Sequence, residues 1–350
     1  MAQDTINNEL ALQIDKNIKE LNADKVLIVT DLNVAQMVIP KLSASKIVSD
    51  SACVLIPPGE DGKNLESVIK VWDKLEEIGA TRKSLIFNIG GGVVTDLGGF
   101  AAATFKRGIR TINLPTTLLA AVDAASGGKT GVNYKGLKNE IGAFHEPSNV
   151  IISSMPFSTL PWKEMLSGYA EMIKTALISD RDLYIRLLDI QNVVEDEEQF
   201  GEAIEQCVLF KDAVVKKDPK EEGLRKILNF GHTAGHAFES LRMKSGAPVT
   251  HGHAVAHGIL VALILSHIKL GFPSFEIHHY SKFLKENYGP ALIECSQVQK
   301  IIEIMGADKK NRKHGQPLFT LLKEIGYPKF DCIVTPPEIK ETLEIYRDIF

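Results

Sequence analysis

The chain has 350 residues, 44% of them hydrophobic and 24% charged, with a net charge of −4. That is the composition of a globular protein long enough for two domains, and the slightly acidic balance gives no support to a nucleic-acid partner, which needs a basic face. No uninterrupted apolar run reaches the roughly 18 residues of a membrane span; the longest candidate, AVAHGILVALILSHIKLGF, carries His257, His267 and Lys269 and reads as a buried helix.

From the N-terminus, MAQDTINNEL is polar and lacks an apolar signal core. Cys53, Cys207, Cys295 and Cys332 lie far apart without metal-type pairing, as reduced thiols do. A cytoplasmic protein with no nucleic-acid or membrane partner is expected. KVLIVT (25–30), SACVLIP (51–57), SLIFNI (84–89), TINLP (111–115) and NVIIS (149–153) read as strands, and NLESVIKVWDKLEEIG (64–79) has helical periodicity. The alternation predicts an α/β N-terminal domain with a mostly parallel sheet, residues 1–155. Proline and serine punctuate the chain at SSMPFSTLP (153–161). Beyond it, WKEMLSGYAEMIKTALIS, DLYIRLLDI, FGEAIEQCVLFKDAVVKK, GLRKILNFGHTAGHAFESL, 253–270 and the part from about 275 read as helices. An all-helical C-terminal domain over 156–350 is predicted.

Gly90, Gly91 and Gly92 sit where the strand SLIFNI turns into a helix, which offers free N–H groups and a positive dipole end to a pyrophosphate. Asp31 ends the first strand, where it suits a ribose hydroxyl, and Asp96 opens the glycine helix. Asp123, Lys129, Lys138 and Asn139 fall in a polar, non-periodic stretch expected to form loops or short turns, with Gly127 and Gly128 freeing Lys129 to meet an anion. Arg225, Asn229, His232 and His236 are spaced i, i+4, i+7 and i+11, one stripe of one helix, which suits an anion and a metal. Gly231 and Gly235 beside them imply close approach of another group. Glu171 and Lys174, i and i+3, are either an ion pair or a metal ligand beside a substrate contact. Glu171 and His232 need a third ligand for an open zinc-type site. His251 suits best, with His253 and His257 as alternatives; a strand turns His251 and His253 to one face, whereas a helix separates them by about 200°.

Nine stretches, GEDGK (59–63), GGGVVTDLGGFAAATFKRG (90–108), LPTTLLAAVD (114–123), GGKTGVN (127–133), KNEIGAFHEP preceded by Leu137, GYAEMIK (168–174), LRKILNFGHTAGHAFE (224–239), HGHAVAHG (251–258) and DKKN (308–311), together resemble the 3-dehydroquinate synthase family of sugar-phosphate cyclases. The resemblance runs from about residue 25 to 330. It implies a lyase that converts 3-deoxy-D-arabino-heptulosonate 7-phosphate to 3-dehydroquinate and phosphate, the second step of the shikimate pathway. It implies NAD as cofactor, a divalent metal (Zn2+ or Co2+) on Glu171, His232 and His251, and a homodimer. The implied NAD site comprises Asp31, Asn33, Glu60, Lys63, Gly91, Gly92, Val93, Asp96, Thr116, Thr117, Lys138 and Thr159, with Asp123 and Lys129. The implied catalytic and substrate residues are Asp123, Lys129, Asn139, Lys174, Lys211, Arg225, Asn229 and His236, with Arg107 reaching the neighbouring subunit's substrate phosphate and one of Lys309 or Lys310 adding a contact. The family commonly carries Glu where His253 stands.

Overall fold

β-Branched runs in the first half of the chain become strands. In this computed structural model, residues 2–135, 137–307 and 316–350 are described; Lys309 and Lys310 lie outside the described residues. Two units form, Met1–Pro161 and Trp162–Phe350. The first runs α1 (Ala2–Glu20), β1 (Val26–Asp31), α2 (Leu32–Met37), α3 (Lys46–Asp50), β2 (Ala52–Ile56), α4 (Leu65–Glu77), β3 (Leu85–Gly90), α5 (Gly92–Thr104), β4 (Arg110–Pro115), β5 (Lys129–Tyr134), β6 (Leu137–Phe144) and β7 (Asn149–Val150). Strands β2-β1-β3-β4-β7 form one sheet, in that order, and every pair is parallel. Both faces are covered, which is why the strands read as continuous apolar runs. On one face Val68, Val71 and Leu75 of α4 and Leu97 and Ala101 of α5 pack on Val29 and Ile86. On the other, Leu10 and Ile14 of α1, Val34 and Val48 pack on Ile28 and Phe87. From β1 the chain moves outward to β2, then crosses back to β3 on the other side. The carboxyl ends of β1 and β3 therefore flank a topological switch point, where open α/β sheets bind ligands.

The stretch expected as loops is ordered. Ala120–Ala124 is a π-helical turn, and β5 and β6 pair as an antiparallel hairpin. Its buried face offers little more than Val132, Ile141 and Ala143 to the core, so glycine, lysine and asparagine dilute the alternation that marks a strand. The run NVIIS contributes only two strand residues.

The second unit continues with α6 (Trp162–Ser179), α7 (Arg181–Leu187), α8 (Ile190–Glu195), α9 (Glu197–Lys217), α10 (His232–Lys244), α11 (His251–Leu270), α12 (Ser274–Tyr288), α13 (Val298–Gly306), β8 (Leu318–Leu322), β9 (Pro328–Ile333) and α14 (Pro336–Ile349). It is mostly helical. The expectation of helices alone is corrected by the β8–β9 antiparallel hairpin, whose turn uses Gly326 at φ +82°. Helix α11 is long and apolar enough to cross a membrane by length and composition, yet Ala254 to Ser266 are all buried inside the unit.

His257, halfway along α11, is fully buried, and its Nδ1 meets the Tyr346 hydroxyl of α14 at 2.8 Å. Burial and the neighbouring His253 pull its pKa down to about 3 from the usual 6.5. Between those values the unfolded chain takes a proton that the folded chain refuses. Stability is therefore full above about pH 6.5 and falls as the pH drops through that window. The expected loss from this group is roughly 3 kcal/mol by about pH 4.5. Urea melts of the wild type and His257→Gln at both pH values test it: an equal pH slope in the two proteins would mean that His257 contributes nothing.

Candidate active site

At the carboxyl end of β3, Gly91 caps α5 with no side-chain hydrogen bond. The first-turn N–H groups at Gly92 and Val93 thus meet no capping side chain, and they open a helix of 13 residues. This is the cradle expected for a phosphate. Beside it, the buried Lys63 ammonium donates to Asp96 at 2.6 Å and to the Asn139 side-chain oxygen at 2.5 Å. Burial pushes the Asp96 carboxyl up, Lys63 opposes that, and the charges of Asp123 and Glu60 add to the rise. Asn139 adopts a left-handed φ of +52°. Asn133 ties the group together, donating to Glu60 at 2.8 Å and accepting from the Asn139 N–H at 3.0 Å. Lys63, Glu60, Asp96, Asp123 and Asn139 thus gather by the glycine turn. Thr116 is buried directly after β4, and the Thr117 hydroxyl accepts from Ala120 N–H at 3.1 Å.

Other residues singled out in this unit sit differently. Asp31 caps α2, accepting from Asn33 N–H at 2.8 Å and Val34 N–H at 3.0 Å; Asn33 is exposed. Thr159 donates to the Pro156 carbonyl at 2.7 Å. Lys129 and Lys138 are exposed on the hairpin rather than in a loop. Arg107 is exposed in a turn where Lys106 and Arg107 both take left-handed φ, +47° and +68°.

In the second unit the polar stripe is two pieces. Leu224–Asn229 is a 3-10 helix, Phe230 turns extended, and α10 starts at His232. Gly231 makes the break at φ +76°. The group that approaches the glycines is the backbone of α11. A Cβ on Gly258 would stand 2.1 Å from the Gly231 carbonyl oxygen and 2.5 Å from Gly235 N.

That contact brings two histidines to one carboxylate. Glu171 of α6 is 1% exposed. His232 Nε2 and His251 Nε2 each lie 3.5 Å from the same Glu171 oxygen. A four-coordinate zinc ion with ligand bonds near 2.1 Å sets its ligand atoms about 3.4 Å apart. Both histidine nitrogens therefore stand from the Glu171 oxygen at the edge length of such a polyhedron and beyond a good hydrogen bond. Neither Glu171 oxygen has a hydrogen-bond partner of good geometry, although the Lys174 ammonium stands against the carboxylate. Residues of this type and spacing fit a divalent ion. His236 also has a ring nitrogen within 4.8 Å of those of His232 and His251.

Electrostatics match. Burial opposes charge on Glu171, but Lys174, then the two imidazoles, hold its carboxyl well below the usual range. Burial holds His232 well below its usual value and so neutral. For His251, the neighbouring carboxylates of Glu171 and Glu239 outweigh burial and push it up to about 10. His253 and His257 stand apart. His253 Nδ1 meets the Thr250 hydroxyl at 3.0 Å and its ring lies edge-on to Tyr288, while His257 faces α14.

Lys174 and Lys211 are buried on α6 and α9. Arg225 is 4% exposed and donates to the Pro219 carbonyl at 2.7 Å. Asn229 donates to Glu221 at 2.5 Å. The unforeseen β8–β9 hairpin holds this segment: Thr320 donates to the Lys226 carbonyl, Lys226 pairs with Asp331, and Thr233 donates to the Leu318 carbonyl, each at 2.9 Å. Sequence reading also missed Glu239, whose carboxylate meets His251 Nδ1 at 3.1 Å, and Asn133. Glu239 lies seven residues after His232, on the same helical face, and that spacing was the available signal.

Two family models match the chain: 3-dehydroquinate synthase N-terminal over residues 53–167 and 3-dehydroquinate synthase C-terminal over 168–311. A 3-dehydroquinate synthase of Parabacteroides distasonis is 43% identical over 347 residues, covering 99% of this chain and 98% of that one. A 2-epi-5-epi-valiolone synthase from Streptomyces hygroscopicus subsp. jinggangensis, solved with NAD+ and Zn2+ bound, matches with a TM-score of 0.83 and 26% identity over 93% of this chain and 91% of that one. A 2-deoxy-scyllo-inosose synthase solved with carbaglucose-6-phosphate, NAD+ and Co2+ has a TM-score of 0.79, with 26% identity and the same coverage. Fold, site and likenesses together define an enzyme of the sugar-phosphate cyclase class. Within that class, the chain belongs to the 3-dehydroquinate synthase family, whose members are carbon–oxygen lyases.

Proposed function

We propose that this chain converts 3-deoxy-D-arabino-heptulosonate 7-phosphate to 3-dehydroquinate and phosphate, as a cytoplasmic homodimer using NAD+ and one Zn2+ or Co2+ ion. The convergence of Glu171, His232 and His251 carries the reading. The reaction runs through transient oxidation at C5, β-elimination of phosphate, re-reduction, ring opening and aldol closure, with no net redox change. When bound, NAD+ supplies a hydride acceptor and the divalent ion a Lewis acid.

The chain's own groups do the rest. Glu171, His232 and His251 hold the ion. The α5 N-terminus takes the cofactor's phosphates, with Lys63, Asp96 and Thr116 beside it. His236 relays the proton of the C5 hydroxyl, since imidazole exchanges protons near neutral pH. Arg225 clamps the substrate carboxylate at two points, with Asn229 next to it, a geometry lysine lacks. Lys174 and Lys211 offer cations to phosphate and to developing negative charge. Arg107 extends to the phosphate bound by the second copy; its turn keeps two strained left-handed residues, a cost tolerated mostly where backbone shape serves function.

The solved relatives favour a second reading, a cyclase for a sugar phosphate without a carboxylate. Arg225 would then have no carboxylate to meet. The deciding assay follows phosphate release from 3-deoxy-D-arabino-heptulosonate 7-phosphate with NAD+ and Zn2+ or Co2+, while recording NADH absorbance. Phosphate without accumulated NADH is the expected result. No phosphate from protein loaded with metal and NAD+ would turn the assignment to the other sugar phosphates. NADH accumulating on a simple polyol would make the protein a dehydrogenase.

A further inference from the structure

We propose that Glu239 is a positioning residue for the metal centre, holding the His251 ring so that Nδ1 donates and Nε2 faces the ion. This rests on the reading of Glu171, His232 and His251 as ligands. Glu239 sits on α10 and reaches across to the first residue of α11, where its Oε2 meets His251 Nδ1 at 3.1 Å. An ionised carboxylate can only accept, so the nitrogen facing it carries the proton. The other ring nitrogen points at Glu171 from 3.5 Å. His232 is oriented the same way by a different acceptor, its Nδ1 lying 3.1 Å from the Phe230 carbonyl that the Gly231 turn exposes. Each ring thus has one nitrogen fixed by an oxygen acceptor and the other aimed at the carboxylate. Such outer partners fix the tautomer and raise ligand basicity. Glu239 side-chain exposure is 14%, against 1% for Glu171, so its replacement leaves no deep cavity.

The test measures Co2+ and Zn2+ dissociation constants by chelator competition on the full-length apo-protein, for the wild type, Glu239→Ala, Glu239→Gln and His251→Ala. Circular dichroism melts of each apo-protein report folding. Glu239→Ala is expected to bind either ion about 10–100-fold more weakly. Glu239→Gln keeps an accepting oxygen and is expected to stay within about threefold of the wild type, a rescue that a purely structural or charge role would not produce. Unchanged affinity in Glu239→Ala, with the ion lost from His251→Ala, overturns the role of Glu239 alone. Unchanged affinity in both overturns the ligand assignment along with it. Equal weakening in the Gln and Ala variants also overturns the proposal, because then charge rather than orientation matters.

Discussion

His251→Ala is expected to lower divalent-ion affinity by a factor on the order of 10³, and His253→Ala to leave it within about twofold. The two residues are separated by one position, so the contrast tests geometry rather than neighbourhood. Thr250 caps α11 by accepting from the His253 N–H, which makes His251 the first helical residue and turns the two side chains apart. His251 faces Glu171; His253 faces Tyr288. Equilibrium dialysis with Zn2+ and metal analysis of the purified variants give the result. Loss of the ion from His253→Ala with retention in His251→Ala would move the third ligand. His236→Ala sharpens the comparison, since a proton relay predicts lost turnover with the ion retained.

Arg225→Ala should retain the ion and lose kcat/KM by roughly 10³, the cost of leaving a substrate carboxylate without its charged, two-point partner. Arg225→Lys should recover little, because an ammonium presents one point charge rather than a planar fork. Arg225 is already desolvated in the free protein, with Pro219 holding one of its N–H groups. Its side chain is thus ordered before substrate arrives, and less entropy is lost on binding. Steady-state kinetics, with dialysis to confirm metal content, give the answer. Wild-type kcat/KM in Arg225→Ala would dispose of the clamp and reopen the carboxylate-free substrates.

The parallel sheet was legible because strands covered on both faces are unbroken apolar runs, such as LIFNIG, buried at every position. The two hairpins were not. LKNEIGAF has two partly buried residues in eight, and PKFDCI has four in six but none fully buried, so neither carries the amplitude that marks a strand. Helical spacing grouped Arg225, Asn229, His232 and His236 as a polar set, but periodicity is blind to a single left-handed residue, and Gly231 divides that set in two. The choice between His251 and His253 depended on where a helix begins. Thr250 held that information as an N-cap, and it becomes usable only once a helix is known to start there.

The contact between Gly258 and Gly231 gives a residue without a side chain a say in metal chemistry. Two of the three candidate coordination arms ride on helices that touch main chain to main chain, so the bite of the site is gauged by backbone thickness. No rotamer adjustment can absorb a methyl group there. A change at position 258 would show itself first as an altered preference among ions of different radius.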